Sequence, residues 1–187
     1  MGQPIAVGVR VTGGSTTATA APIGLVTVTA GRKSCRASIA GSNGAATGIC
    51  WISEPAAGTY DMVASYEGSS DLSSSSSEVT PLKVAKATVR TTFRLSAGKI
   101  VYGHEQVEHL SVTVRPRFFG STPTGTVTIW WSATALCVVT LSSAKGSCDL
   151  SQKKLEAGTY RLVATYGGSK NFKGSTSSEE TLTVVKR

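Results

Sequence analysis

His104, Glu105, Glu108 and His109 form the one cluster in this chain with side chains suited to holding a metal or moving a proton, and they include both histidines of the sequence. Residues 104 and 109 are five apart, so on a regular strand they point to opposite faces. The His-x-x-x-His spacing of a helical zinc site is absent. The cluster is therefore expected to be a solvated turn leading into a strand, with no metal and no cofactor. The many serines lack a histidine base with an orienting carboxylate. No Gly-x-Ser-x-Gly elbow, phosphate loop or dinucleotide fingerprint occurs. No catalytic residue is assigned, and the chain is expected not to be an enzyme. Asp71 and Asn171 sit in matching Gly-Ser loops and suit turns; calcium would require more converging oxygens.

Two further sets of residues carry chemistry of another kind. In Trp130-Trp131, adjacent strand positions face opposite ways, and the alternation Val127, Ile129, Trp131 turns Trp131 inward and Trp130 outward. Phe118-Phe119 cannot both be buried within a regular strand either. Trp130, Phe118, Arg115 and Arg117 thus make a candidate interaction surface for a sugar ring, an anionic group or a protein. The second set is the cysteines, Cys35 with Cys50 and Cys137 with Cys148. Each pair flanks a turn-rich stretch, Ser42-Asn43-Gly44 in one case and Ala144-Lys145-Gly146 in the other. Four cysteines allow three connectivities. Zinc would call for Cys-x-x-Cys spacing or nearby histidines, and neither is present.

The elements that must position these residues are set by an internal repeat. Ala57-Gly58-Thr59-Tyr60 recurs as Ala157-Gly158-Thr159-Tyr160, and Met62 to Ser69 is matched by Leu162 to Ser169. Upstream, Pro22 to Val28 matches Pro123 to Ile129. The spacing of about 100 residues is that of a β-sandwich, not of a solenoid turn. Tyr160, Leu162, Ala164 and Tyr166 alternate with Arg161, Val163 and Thr165, the period of a half-buried strand. Leu110, Val112 and Val114 do the same, and Gly, Ser and Pro clusters separate the runs. No segment shows a 3.6-residue period. The expected fold is all-β, two tandem immunoglobulin-like Greek-key sandwiches covering 1–86 and 87–187, joined by a short link at Val84-Ala85-Lys86-Ala87 that restricts their orientation.

One cysteine pair per repeat favours a disulfide within each, and hence an oxidising compartment. The copies are unequal. About 20 residues, Thr88 to Val107, precede the strand Leu110–Val114, whereas almost nothing precedes its counterpart Val7-Val9-Val11. The first repeat is expected to lack its opening strand, first because the sequence is cut short there, or else because its open edge takes a strand from an upstream repeat or another chain. Of the formal charge of +8, nearly all belongs to the second half, with thirteen Lys/Arg against six Asp/Glu in residues 88–187. That surface suits anionic polymers, without the features of specific nucleic-acid recognition. No apolar run is long enough for a transmembrane segment, and Met1 to Arg10 shows no signal-peptide pattern.

Val101-Tyr102-Gly103-His104-Glu105-Gln106, Pro123 to Thr128, Leu136-Cys137 with Gly146-Ser147-Cys148, and Ala157 to Gly168 together resemble the group 3 bacterial immunoglobulin-like repeats of secreted and surface proteins in high-GC Gram-positive bacteria. The resemblance implies a sandwich module used as spacer, stalk or adhesion unit, without shared catalytic residues. It also implies an intradomain disulfide for each cysteine pair. The function expected is a structural or interaction module of an extracellular or cell-surface assembly. The alternatives are an adhesin or wall-binding module using the basic aromatic side of repeat 2, and a decoration module on a virion.

Overall fold

The computed structural model describes residues 3–14, 21–53, 55–118 and 120–186. Its chain divides into two compact units, 1–85 and 86–187.

Unit 1 contains β1 (Ile5–Thr12), β2 (Gly24–Ala30), β3 (Lys33–Ser42), β4 (Ala45–Ile52), β5 (Gly58–Tyr66), the short β6 (Ser75–Ser76) and β7 (Thr80–Val84). Its strands follow the order β1-β4-β3-β2-β5, with β6 and β7 both on β5, and every pairing is antiparallel. The long strand β3 makes this one continuous sheet. Its first part pairs with β2, and its end, Ala40–Ser42, turns over to pair with β4. Asn43 and Gly44 both have positive φ and close the β3–β4 hairpin as a two-residue turn, the geometry that Asn-Gly favours. The core is Val9, Val26, Val28, Ala37, Ile39, Ile52 and Tyr66.

Unit 2 contains β8 (Val89–Leu95), β9 (Lys99–Val101), a single 3₁₀ turn at Glu105–Val107, β10 (His109–Pro116), β11 (Thr126–Trp131), β12 (Thr134–Thr140), β13 (Lys145–Asp149), β14 (Gly158–Tyr166), the short β15 (Ser175–Thr176) and β16 (Glu180–Val185). One sheet is β13-β10-β8; the other is β12-β11-β14-β16-β9, with β15 on β14. The two sheets close an immunoglobulin-like sandwich over Phe93, Leu110, Val112, Val114, Val127, Ile129, Leu162, Ala164, Tyr166 and Leu182. Alternation does the sorting. Along β14 the residues Tyr160, Leu162, Ala164 and Tyr166 are buried and those between them are not. Unlike the other pairings, β9 runs parallel to β16.

From β1 with β10 to β7 with β16, the strands of unit 1 repeat the pairings of their counterparts in unit 2, and add one, between the end of β3 and β4, where β12 and β13 stay in separate sheets. The side-chain bonds repeat as well. Tyr160 donates to the Glu156 carbonyl and Tyr60 to that of Ala56; Tyr166 donates to Thr124 and Tyr66 to Ile23. Among the described residues of unit 1, nothing corresponds to β8 or β9.

Disulfides join Cys35 to Cys50 and Cys137 to Cys148. In unit 2 the bridge ties β12 in one sheet to β13 in the other. The turn between those strands falls one residue earlier than the composition suggests. Ser143 and Ala144 occupy it, both at positive φ, with Ser142 and Lys145 exchanging backbone hydrogen bonds across it. Gly146 instead lies within β13, where a Cβ would come within 2.3 Å of Val139 Cγ1. Gly48, its counterpart in β4, is pressed against the Ser38 carbonyl in the same way. Both sit where the second strand of the hairpin passes too close to the first for a side chain.

Candidate interaction surface

The outer face of the three-stranded sheet is built by parity. In β8 the exposed residues are Arg90 and Arg94, with Thr92 half-buried between them. In β10 they are His109, Ser111 and Arg115 around Thr113, and in β13 Lys145, Ser147 and Asp149. Register brings Arg90 directly opposite Arg115, and Lys145 opposite Thr113, which faces Thr92. Arg117 continues past the end of β10, its N–H bonded to the Thr88 carbonyl, and Arg90, Arg115 and Arg117 line one surface recess. Like charges directly opposite each other weaken a strand pair. Yet the ion pairs among the described residues, His109 with Asp149 and Arg161 with Glu179, leave all these cations without a carboxylate partner.

The residues singled out from sequence do not assemble as one surface. Arg115, Arg117 and the exposed Phe118 lie together at the end of β10. Trp130 is in the other sheet, four residues along β11 from Thr126, a run of about 13 Å. Phe119 lies outside the described residues. It is the exposure of the tryptophans, not their facing, that needs correction. Trp131 does turn to the inner side, packing edge-on against Tyr160 with ring centroids 4.9 Å apart. As the last residue of β11 it has no strand beyond to cover it and remains 39% exposed, while Trp130, flanked by Ala135 and Val163, is the half-buried one. Sequence reasoning also passed over Trp51 and Ile49, 62% and 65% exposed on β4 of unit 1. Their cross-strand neighbours are only Ala6 and Gly8.

The expectation of a solvated turn around His104 is overturned. Glu105 and Glu108 are completely buried. A Glu108 oxygen accepts from the Ser96 N–H and hydroxyl, and the carboxylate also takes the N–H groups of Ala97 and Gly98. Glu105 accepts from Gly103 and, at 2.8 Å, from Lys153. Burial by itself would raise the Glu105 carboxyl, but the backbone N–H groups of Glu105, Lys153 and Gly103, with His104 nearby, outweigh it and hold the group below its ordinary value of 4.5. Burial, then the nearby Glu156 and Glu105 carboxylates, push the Tyr160 phenol upward, so it stays a neutral donor. These carboxylates clamp backbone; among the described residues no cluster of three or more potential ligands could hold a metal ion. The donors come from three separate turns, a signal that spacing along the chain does not carry.

The family model for the bacterial Ig-like domain (group 3) matches residues 86–185, more than half of the sequence. The chain belongs to that family. The matched span holds both the basic sheet face and the carboxylate clamps of this group 3 Ig-like protein. No curated protein sequence matches it. Among solved structures it is similar to the fibronectin(III)-like modules of Clostridium thermocellum CbhA, at 14% identity and a TM-score of 0.39, over 96% of this chain and 85% of the other. It is also similar to the Yersinia pseudotuberculosis adhesin InvE, at 10% identity and a TM-score of 0.36, over 98% of this chain and 49% of that one. No helix among the described residues is long and apolar enough to cross a membrane.

Proposed function

We propose that this group 3 Ig-like protein is a non-catalytic adhesion-type module of an extracellular or cell-surface assembly, whose contact is the basic sheet face of unit 2 and whose ligand is an anionic surface polymer. The observation that carries this reading is the set of cations Arg90, Arg94, Arg115 and Lys145 gathered on one hydroxyl-rich face, where the carboxylate of Asp149 pairs with His109 and not with any of them. Burial of Glu105 and Glu108 removes two of the six acids of the second half from the surface, so that surface is more basic than its composition suggests. A repeating anion laid across three strands meets several charges at once, while the intervening threonines and serines can donate to its oxygens. Each exposed contact is weak and screened by salt, so binding depends on the number engaged.

Co-sedimentation with purified Gram-positive cell walls across a salt series tests this. Wild-type protein is expected to bind at low salt and to be released as salt rises. Replacing Arg90, Arg94 and Arg115 by glutamate should abolish binding, whereas Trp130→Ala should leave it unchanged. A second reading, a spacer that holds attached domains apart, is favoured by the disulfide that closes each unit, and absence of wall binding at any salt would leave that role standing.

A further inference from the structure

In unit 2 the strand β8 does more than end a sheet. It lays Phe93 across the core, with Thr91 and Leu95 inward on either side, and packs against β14, β15 and β16. Register sets Leu95 opposite Leu110, Phe93 opposite Val112 and Thr91 opposite Val114. Thr91 is buried and bonds the Ser175 hydroxyl at 2.7 Å.

The same place in unit 1 is an open groove of about 360 Å³. Its walls are Val7, Val9 and Val11 of β1 on one side and Met62, Ala64 and Ser75 on the other. Through the cysteine register, Val7, Val9 and Val11 are the counterparts of Leu110, Val112 and Val114. Met62 and Ala64 stand for Leu162 and Ala164, and Ser75 for Ser175. Every one of those counterparts except the serine is sealed in unit 2, while Val7, Val11, Met62 and Ala64 are only partly covered in unit 1. The outer edge of β1 pairs with no strand among the described residues.

We propose that this groove is a strand-acceptor site, filled by one extended segment of a partner polypeptide with the chemistry of β8. The segment adds antiparallel to β1, with a phenylalanine opposite Val9, a threonine opposite Val11 reaching Ser75, and a leucine opposite Val7. Backbone hydrogen bonds along β1 supply affinity, and the alternate inward side chains supply selection. The site is independent of the basic face of unit 2, so either proposal can fail alone.

The probe is a labelled peptide of residues 88–96, added to the intact protein, with hydrogen exchange read residue by residue. The peptide should bind and slow exchange at the β1 amides that point away from β4. A Phe93→Ala peptide should bind roughly ten- to hundredfold more weakly, the loss expected for one buried aromatic, and a Thr92→Ala peptide, altered on the outward face, should bind as before. All variation sits in the peptide, so the folded protein is the same throughout. Protection that falls on β10 instead, equal binding of a scrambled peptide, or no binding overturns the proposal. A dimer whose β1 amides are already protected without peptide gives the edge to a second copy and overturns it as well.

Discussion

Glu105 and Glu108 illustrate how a carboxylate can be structural when backbone N–H groups are its main partners. Removing an ionised carboxylate from water is costly unless strong donors replace the water, and here backbone N–H groups do so. Charge-assisted bonds of this kind are about twice as strong as neutral ones. Glu105→Gln swaps an acceptor for an amide donor facing backbone N–H groups, and should cost about 1–3 kcal/mol at neutral pH, measured by urea unfolding. The folded Glu105 carboxyl titrates below its ordinary value of 4.5. Its contribution is therefore complete above that value and is lost as pH falls through the lower, folded one. Unit 2 should lose stability on acidification below about pH 4.5, and the glutamine variant should show a shallower loss over the same range. An unchanged acid slope in the variant would remove Glu105 from this role.

At the scale of the element, the β3–β4 and β12–β13 hairpins offer an internal comparison. Unit 1 turns on Asn43-Gly44, which tolerate positive φ, whereas unit 2 turns on Ser143-Ala144, both forced into that region. Replacing Ser143-Ala144 by Asn-Gly should therefore stabilise unit 2 by roughly 1 kcal/mol, read from the shift of its denaturation midpoint. The disulfides beside these turns close loops of 15 and 11 residues, and removing either should cost about 2–4 kcal/mol. What the sequence made legible follows the same division. Strands with an uninterrupted period of two, such as β10, β11 and β14, declared themselves, as did the inner side of Trp131. The three-residue β9 did not, because its place depends on a parallel partner over eighty residues away. The basic face was half visible: Arg115 stood out, but Arg90 joins it only through cross-strand register. The buried glutamates were hidden because Lys153, which holds Glu105, lies 48 residues along the chain.

At the scale of the whole molecule, the contrast is between a filled and an unfilled sandwich. In unit 2, β8 extends the β10 sheet and covers β14 from across the core; unit 1 leaves the equivalent valines and methionine partly wet. Amide exchange should accordingly be faster in β1 than in β10, its counterpart, under native conditions, and similar rates would mean that cover by a strand in the place of β8 matters little to local stability. The parallel pair β9–β16 has a consequence for a chain held under tension. Lys99 to Val101 run alongside Thr183 to Val185 in the same direction. A pull that enters ahead of β9 and leaves past the end of β16 loads those hydrogen bonds together, in shear, and not one after another as in a zipper. Unit 1 has no such pairing on β7 among its described residues. Stretched from its two ends, the protein should yield first in unit 1, with unit 2 as the stiffer link, and in each the disulfide keeps the loop it closes from paying out.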